Sequence, residues 1–152
     1  MALTSGMDNS GSATVTDPQK PSWAAPLVSV VDDDISVGRS TRRLLRTAGL
    51  RAEAFASAEE FLSSGLLGEA ACLVLDLRMP GMNGLQLQQH LAHTSNPVPI
   101  IFLSAHSCAD NERKALQAGA VRFLKKPVSK DALLLAIRNA LNAFSNDERK
   151  IP

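Results

Sequence analysis

The sequence is poor in several residue types and patterns, and each absence narrows the possible functions. It has two cysteines, Cys72 and Cys108, too few for a disulfide framework and typical of a reducing compartment. The formal net charge is +1, so no overall field attracts nucleic acid or a membrane surface. No apolar run is long enough to cross a bilayer, and the beginning of the chain lacks the pattern of a signal peptide. We therefore expect a cytoplasmic protein without membrane segments.

The 152 residues, 45% of them hydrophobic, suffice for one globular core and hardly for two. Residues 1–25 are rich in Ser, Thr, Gly, Asp and Pro without periodicity, which predicts a disordered leader. Segment 26–144 has regular hydrophobic patterning, and 145–152 is expected to be a short polar tail. A single domain over 26–144 follows.

Short apolar segments alternate along this domain with segments of helical period. We predict strands at 27–31, 51–55, 73–76, 100–103 and 121–124, with a helix after each. Such alternation implies a parallel sheet covered by helices on both faces. In the first helix Arg39, Arg42, Arg43 and Arg46 lie mainly off the apolar stripe, so they form either a solvated basic face or a docking surface for an acidic partner.

Polar residues stand where these strands end: Asp32 and Asp33, Asp76, Ser104 and Lys126. In a doubly wound sheet the carboxyl ends of the strands lie at one edge, so these residues converge. Three carboxylates in one small pocket repel one another unless a cation neutralises them, and oxygen ligands on loops suit Mg²⁺. A lysine and a hydroxyl beside them would cradle a phosphoryl group, which Asp76 could attack to give an acyl phosphate.

Four motifs, VVDDD, LVLDLRMPGMNG, IFLSAH and FLKKP, occur in the order found in one family. Over about residues 26–144 the chain resembles the receiver domain of bacterial two-component response regulators, and its segments SAEEFL and AGAVRFLKKP are similar to the FixJ-like group. The resemblance implies an α/β, flavodoxin-like, doubly wound five-stranded parallel sheet of order 2-1-3-4-5 with five helices.

The resemblance also implies a metal site and a phosphoacceptor. Asp76 matches the phosphoacceptor and a metal ligand. Asp33 matches the direct Mg²⁺ ligand, and Asp32 matches the residue that holds the ion through water. Arg78 matches the residue whose backbone carbonyl completes the site. Asp34 extends the acidic run without a certain counterpart in the family.

Three further positions carry roles by the same resemblance. Ser104 matches the hydroxyl that bonds the phosphoryl oxygen and moves towards it, and Lys126 matches the phosphate-contacting lysine. The bond from Lys126 to Pro127 is expected to be cis, a minority form for X-Pro bonds. Phe123 falls at the aromatic switch position, where the absence of a tyrosine hydroxyl leaves packing alone to operate the switch.

The expected function is that of a phosphorylation-operated switch in a two-component phosphorelay. A histidine kinase or a histidine phosphotransfer protein would donate the phosphoryl group. The face formed by helix 4, strand 5 and helix 5 would then change its partners, homodimerisation among them. The protein would not be an enzyme beyond gaining and losing its own phosphoryl group.

Other functions compete with this one. A haloacid-dehalogenase-like phosphatase needs a second acid where Arg78 stands, which disfavours that class. A FixJ-like regulator would carry a DNA-binding domain, but only eight residues follow Phe144, so direct binding of nucleic acid is not expected. A receiver fragment of such a regulator and a phosphate-independent degenerate receiver stay open.

Overall fold

The computed structural model describes residues 25–94, 97–105 and 108–150. It contains one sheet whose five strands are β1 (Leu27–Val31), β2 (Arg51–Phe55), β3 (Ala70–Asp76), β4 (Ile100–Ser104) and β5 (Arg122–Lys125). The strands run parallel in the order β2-β1-β3-β4-β5. The predicted fold and strand order are confirmed. Except for Ala25, the predicted leader lies outside the described residues, as do the last two residues of the predicted tail.

The helices are α1 (Ile35–Thr47), α2 (Ala58–Ser63), α3 (Gly84–Ala92), α4 (Ala109–Gln117) and α5 (Lys130–Lys150), with a short 3₁₀ turn at Leu67–Glu69. Helix α5 extends through most of the segment for which the sequence predicts a polar tail. No glycine or proline interrupts the chain between 130 and 151, so nothing local ends the helix earlier. None of the helices among the described residues is long and apolar enough to cross a membrane.

The sheet separates two hydrophobic layers. All seven residues of β3 are buried, as expected for a central strand covered on both faces. On one face Leu75 and its neighbours pack with side chains of α2, α3 and α4, among them Phe61, Leu87 and Ala115. On the other face Val74 packs with side chains of α1 and α5, among them Leu45 and Ile137.

The strand register brings the carboxyl ends of β1, β3 and β4 to the same level. Val31 pairs with Leu75, and Asp76 pairs with Leu103. The next residues along β1 and β4, Asp32 and Ser104, therefore flank Asp76 on its two sides. The fold thus gathers at one edge the polar residues that the sequence places at the strand ends.

Candidate functional site

Three carboxylates meet at this edge of the sheet. Asp32, Asp33 and Asp76 each offer an oxygen, and these oxygens lie within 4.8 Å of one another. Asp32 and Asp76 are 3% and 8% exposed, whereas Asp33 is exposed. Two of the carboxylates are thus largely removed from water while the third faces it, an arrangement that leaves the cluster open on one side.

Lys126 closes the cluster from the side of β5. Its Nζ donates a hydrogen bond to Oδ2 of Asp32 at 2.8 Å and lies 3.6 Å from Oδ1 of Asp76. Its backbone N–H donates to the carbonyl oxygen of Ser104 at 2.8 Å, which fixes the start of the following loop. The Lys126–Pro127 peptide bond is cis, the isomer that the resemblance implies.

The charges of the cluster do not balance. The pKa of Asp76 is raised from 3.8 to about 6, first by burial, then by the charge of Asp32 and by the hydrogen bond and charge of Asp33; the ammonium of Lys126 offsets only part of this. Burial lowers the pKa of Lys126, but its hydrogen bond with Asp32 and the charges of Asp76 and Asp32 outweigh burial and raise it. One ammonium therefore faces three carboxylates, and the excess negative charge favours a cation.

Ser104 and Phe123 lie on the neighbouring strands. Ser104 ends β4 and is 1% exposed. Phe123 is half-buried on β5 and packs beside Phe102 of β4, with ring centroids 5.9 Å apart and the rings tilted by 30°. Phe123 therefore already contacts the core on one side and borders solvent on the other.

An open cleft of about 520 Å³ adjoins the cluster at Asp33. The exposed residue Arg78 and the exposed Asp33 both line it, and its other lining residues are Leu77, Met79, Pro80, Asn83, Leu85 and Asn111. The loop after β3 thus forms one wall of the site.

Two residues near the site have structural roles that the sequence reasoning missed. Asp34 is the N-cap of α1, and its carboxylate accepts from the backbone N–H groups of Ser36 at 3.0 Å and Val37 at 3.3 Å. Asn83 caps α3 in a capping box with Gln86. An Asp ahead of a helical pattern, and an Asn three residues before a Gln, were the signals that could have identified both.

Comparison with known proteins assigns the family. The family model described as the response regulator receiver domain matches residues 28–138, which is more than half of the chain. The chain therefore belongs to the receiver domain family, whose members act in two-component phosphorelays.

Individual relatives agree with this assignment. The response regulator protein TmoT of Ectopseudomonas mendocina is 41% identical over 128 residues, which are 83% of this chain and 57% of TmoT. Nodulation protein W of Bradyrhizobium diazoefficiens is 44% identical over 111 residues, 73% of this chain and 49% of that protein. The chain thus spans about half the length of the curated relatives that it matches.

Solved structures give the same fold. The response regulator StyR superposes with a TM-score of 0.75 at 44% identity, covering 82% of this chain and 63% of that one. A response regulator receiver protein from Burkholderia phymatum superposes with a TM-score of 0.67 at 42% identity, covering 77% of this chain and 95% of that one.

Proposed function

We propose that Asp76 is the phosphoacceptor and that a histidine kinase or a histidine phosphotransfer protein is the donor. A carboxylate oxygen of Asp76 forms a bond to phosphorus while the phosphorus–nitrogen bond of the donor breaks, and the electron pair stays on the imidazole nitrogen. The observation that carries this proposal is the position of Asp76, at the end of a buried central strand, 3.6 Å from Lys126 and inside the acidic cluster.

The donor set fits Mg²⁺, because it consists of oxygens and carries more negative than positive charge. We propose Asp33, Asp76 and the backbone carbonyl of Arg78 as direct ligands, with Asp32 acting through water. When bound, the ion neutralises charge on the transferring phosphoryl group. This assignment also explains why two carboxylates are buried together, since a cation relieves the repulsion that raises the pKa of Asp76.

The other polar residues of the site act on the phosphoryl oxygens. The ammonium of Lys126 neutralises one of them, and its hydrogen bond to Asp32 holds the ammonium in place. The hydroxyl of Ser104 donates to another. Without the ion Asp76 is mainly ionised above about pH 6, and a bound cation would extend this range to lower pH. At neutral pH its carboxylate is therefore available as the nucleophile. The only chemistry proposed for the protein is the gain and loss of this phosphoryl group.

The signal leaves the site through β4 and β5. We propose that Ser104 moves towards the phosphoryl group and that Phe123 turns inward into the space it vacates. Leu116 of α4, Val121 just before β5 and Leu135 of α5 are 43%, 38% and 60% exposed. These apolar side chains support homodimerisation through the face of α4, β5 and α5 after phosphorylation.

Helix α1 provides a second surface for partners. Arg39, Arg42, Arg43 and Arg46 line a groove of about 380 Å³ with Thr47. Arg46 pairs with Glu53 at 3.2 Å, and we assign this residue to a solvated face. For the three other arginines we propose docking of an acidic partner.

We also propose that the domain spans residues 26–144 and that the protein is cytoplasmic.

A second candidate is the receiver portion of a FixJ-like transcriptional regulator. The transcriptional regulatory protein FixJ of Azorhizobium caulinodans is 33% identical over 123 residues, which cover 81% of this chain and 58% of FixJ. Its name and the partial coverage favour this candidate. In either case the 152 residues would act through their partners, without binding nucleic acid directly.

The test is the intact mass of the full chain after incubation with a small-molecule phosphodonor and Mg²⁺. We expect one phosphoryl adduct in the wild type and in Asp110→Asn, a control that removes an exposed carboxylate on α4. The adduct should be absent in Asp76→Asn and after EDTA treatment. An adduct retained by Asp76→Asn would identify another nucleophile. If the small-molecule phosphodonor gives no adduct in the wild type, a histidine phosphotransfer protein is tried as the donor. If that protein also fails to modify the wild type, the chain is a phosphate-independent receiver.

A further inference from the structure

The loop between β3 and α3 is held by a residue of α2 that the proposed chemistry does not use. Oε2 of Glu59 accepts a hydrogen bond from the backbone N–H of Met82 at 2.9 Å. The two residues are 23 positions apart, so this bond joins separate elements. The Met82 N–H also lowers the pKa of Glu59, because it favours the charged carboxylate.

The backbone of Gly81 lies directly against the same carboxylate. Gly81 has a φ of +73°, which favours glycine. A Cβ added there would lie 2.8 Å from Oε2 and 3.4 Å from Cδ of Glu59. The carboxylate and the turn therefore fit closely, and the absence of a side chain at Gly81 permits the contact.

The other end of the loop is fixed by Gly84. Its N–H donates to the carbonyl oxygen of Leu77 at 2.9 Å. A Cβ on Gly84 would lie 2.6 Å from the carbonyl oxygen of Asp76 and 2.9 Å from Cε1 of Phe102. The loop is thus held at Gly84 by close backbone packing and at Met82 by Glu59. Arg78, whose carbonyl is proposed as a metal ligand, lies inside the segment that these two contacts close.

We infer that Glu59 is a positioning residue for the metal site, because its carboxylate holds the loop in the conformation that presents the carbonyl of Arg78 to the cation. Glu59 acts through Met82 and does not contact the ion. The inference rests on the proposed metal site. The competing explanation is that Glu59 only contributes a negative charge to the first turn of α2, where the helix dipole favours one.

Three variants of the full chain separate these explanations. Glu59→Ala removes both the charge and the acceptor, whereas Glu59→Gln removes the charge but keeps an oxygen that can accept from Met82. Glu60→Ala is the matched control, because it removes the neighbouring carboxylate, which bonds the N–H of Ala56 and does not reach the loop. Mg²⁺ affinity is measured by calorimetric titration, and amide hydrogen exchange reports on Gly81 and Met82.

We expect Glu59→Ala to weaken Mg²⁺ binding about fivefold, the effect of losing one ordinary hydrogen bond. Glu59→Gln and Glu60→Ala should stay within about twofold of the wild type by the same reasoning. Exchange should accelerate at the amides of Gly81 and Met82 in Glu59→Ala, while the amides of β3 keep their wild-type exchange rates.

Wild-type Mg²⁺ affinity or unchanged loop exchange in Glu59→Ala would overturn the inference and leave the proposed function standing. Equal losses in Glu59→Ala and Glu59→Gln, or in Glu60→Ala, would assign the effect to charge and overturn positioning. A wild-type chain that binds no Mg²⁺ would overturn the metal site itself and the inference with it. The titrations and the exchange measurements together distinguish these results.

Discussion

Replacing Asp76 by Asn should make the metal-free protein more stable, although it removes the proposed phosphoacceptor. The pKa of Asp76 rises from 3.8 to about 6 on folding, and each unit corresponds to about 1.4 kcal/mol. Ionised Asp76 therefore weakens the folded state by about 3 kcal/mol above neutral pH. Because Asn is neutral and nearly the same shape, we expect Asp76→Asn to raise the free energy of unfolding by about 2–3 kcal/mol in EDTA at pH 7.5.

The sign of the pH dependence follows from the direction of the shift. A pKa raised by folding favours the folded state fully below the unfolded pKa near 3.8, and this advantage is lost as pH rises through about 6. The gain from Asp76→Asn should thus be small near pH 4, about half complete near pH 5 and full above about pH 7. Saturating Mg²⁺ should reduce it, because the ion stabilises the wild type by mass action.

The assay is urea unfolding followed by far-ultraviolet circular dichroism. Fluorescence is unsuitable as a probe of the domain because the chain has no tyrosine and its only tryptophan, Trp23, precedes the predicted domain 26–144. Asp110→Asn is the control: Asp110 is exposed, and its hydrogen bond with Lys114 lowers its pKa, so this substitution should give no gain. A stability gain in Asp76→Asn that is absent, or that does not change between about pH 5 and pH 8, would refute the electrostatic account of the cluster.

Three substitutions test the scaffold of the site by urea unfolding. Asp34→Ala removes the cap of α1 and should lower the free energy of unfolding by about 1 kcal/mol with Mg²⁺ affinity unchanged; altered affinity would mean that Asp34 belongs to the metal site. Gly84→Ala forces a Cβ against the carbonyl oxygen of Asp76 and should lower the free energy of unfolding by about 1–3 kcal/mol; wild-type stability would show that the loop can move aside. The buried side-chain amide of Gln88 donates a hydrogen bond to the carbonyl of Ala115 and so joins α3 to α4. Gln88→Ala removes this bond and should lower the free energy of unfolding by about 1–2 kcal/mol; no loss would mean that the bond adds nothing to stability.

The assembly of the site was predictable because parallel topology places the strand ends at one edge. Once five parallel strands are recognised, Asp32, Asp76 and Lys126 are expected at one edge of the sheet. Their contact also depends on the strand order and on the reach of the Lys126 side chain past β4. The boundaries were less certain: the fifth strand is predicted at 121–124 but begins at Arg122, with Val121 exposed just before it. Val121 nevertheless donates its N–H to the carbonyl oxygen of Ile100 in β4 at 2.8 Å, so the hydrogen bonding to β4 begins one residue before β5 itself.

Polar contacts between secondary-structure elements could not be predicted from the sequence. The contact of Glu59 with Met82 joins residues 23 positions apart, and periodicity reports which face is buried but not which polar group meets which. Helix caps were easier to predict, because the residues that form them are neighbours in the sequence. Ser57 and Glu60 have the Ser-x-x-Glu spacing of a capping box, and Ser57 accepts from the N–H of Glu60 at 3.0 Å. The carboxylate of Glu60, however, accepts from the N–H of Ala56, one residue earlier than a capping box requires.

The three consecutive aspartates after β1 occupy three different environments: Asp32 is buried beside Lys126, Asp33 faces the cleft and Asp34 caps α1. The length of the run is therefore as constrained as its composition. Deleting any one of the three would leave an Asp-Asp pair in the sequence but only two carboxylates for three positions. Natural variation should accordingly tolerate substitutions at the third position far more readily than insertions or deletions anywhere in the run.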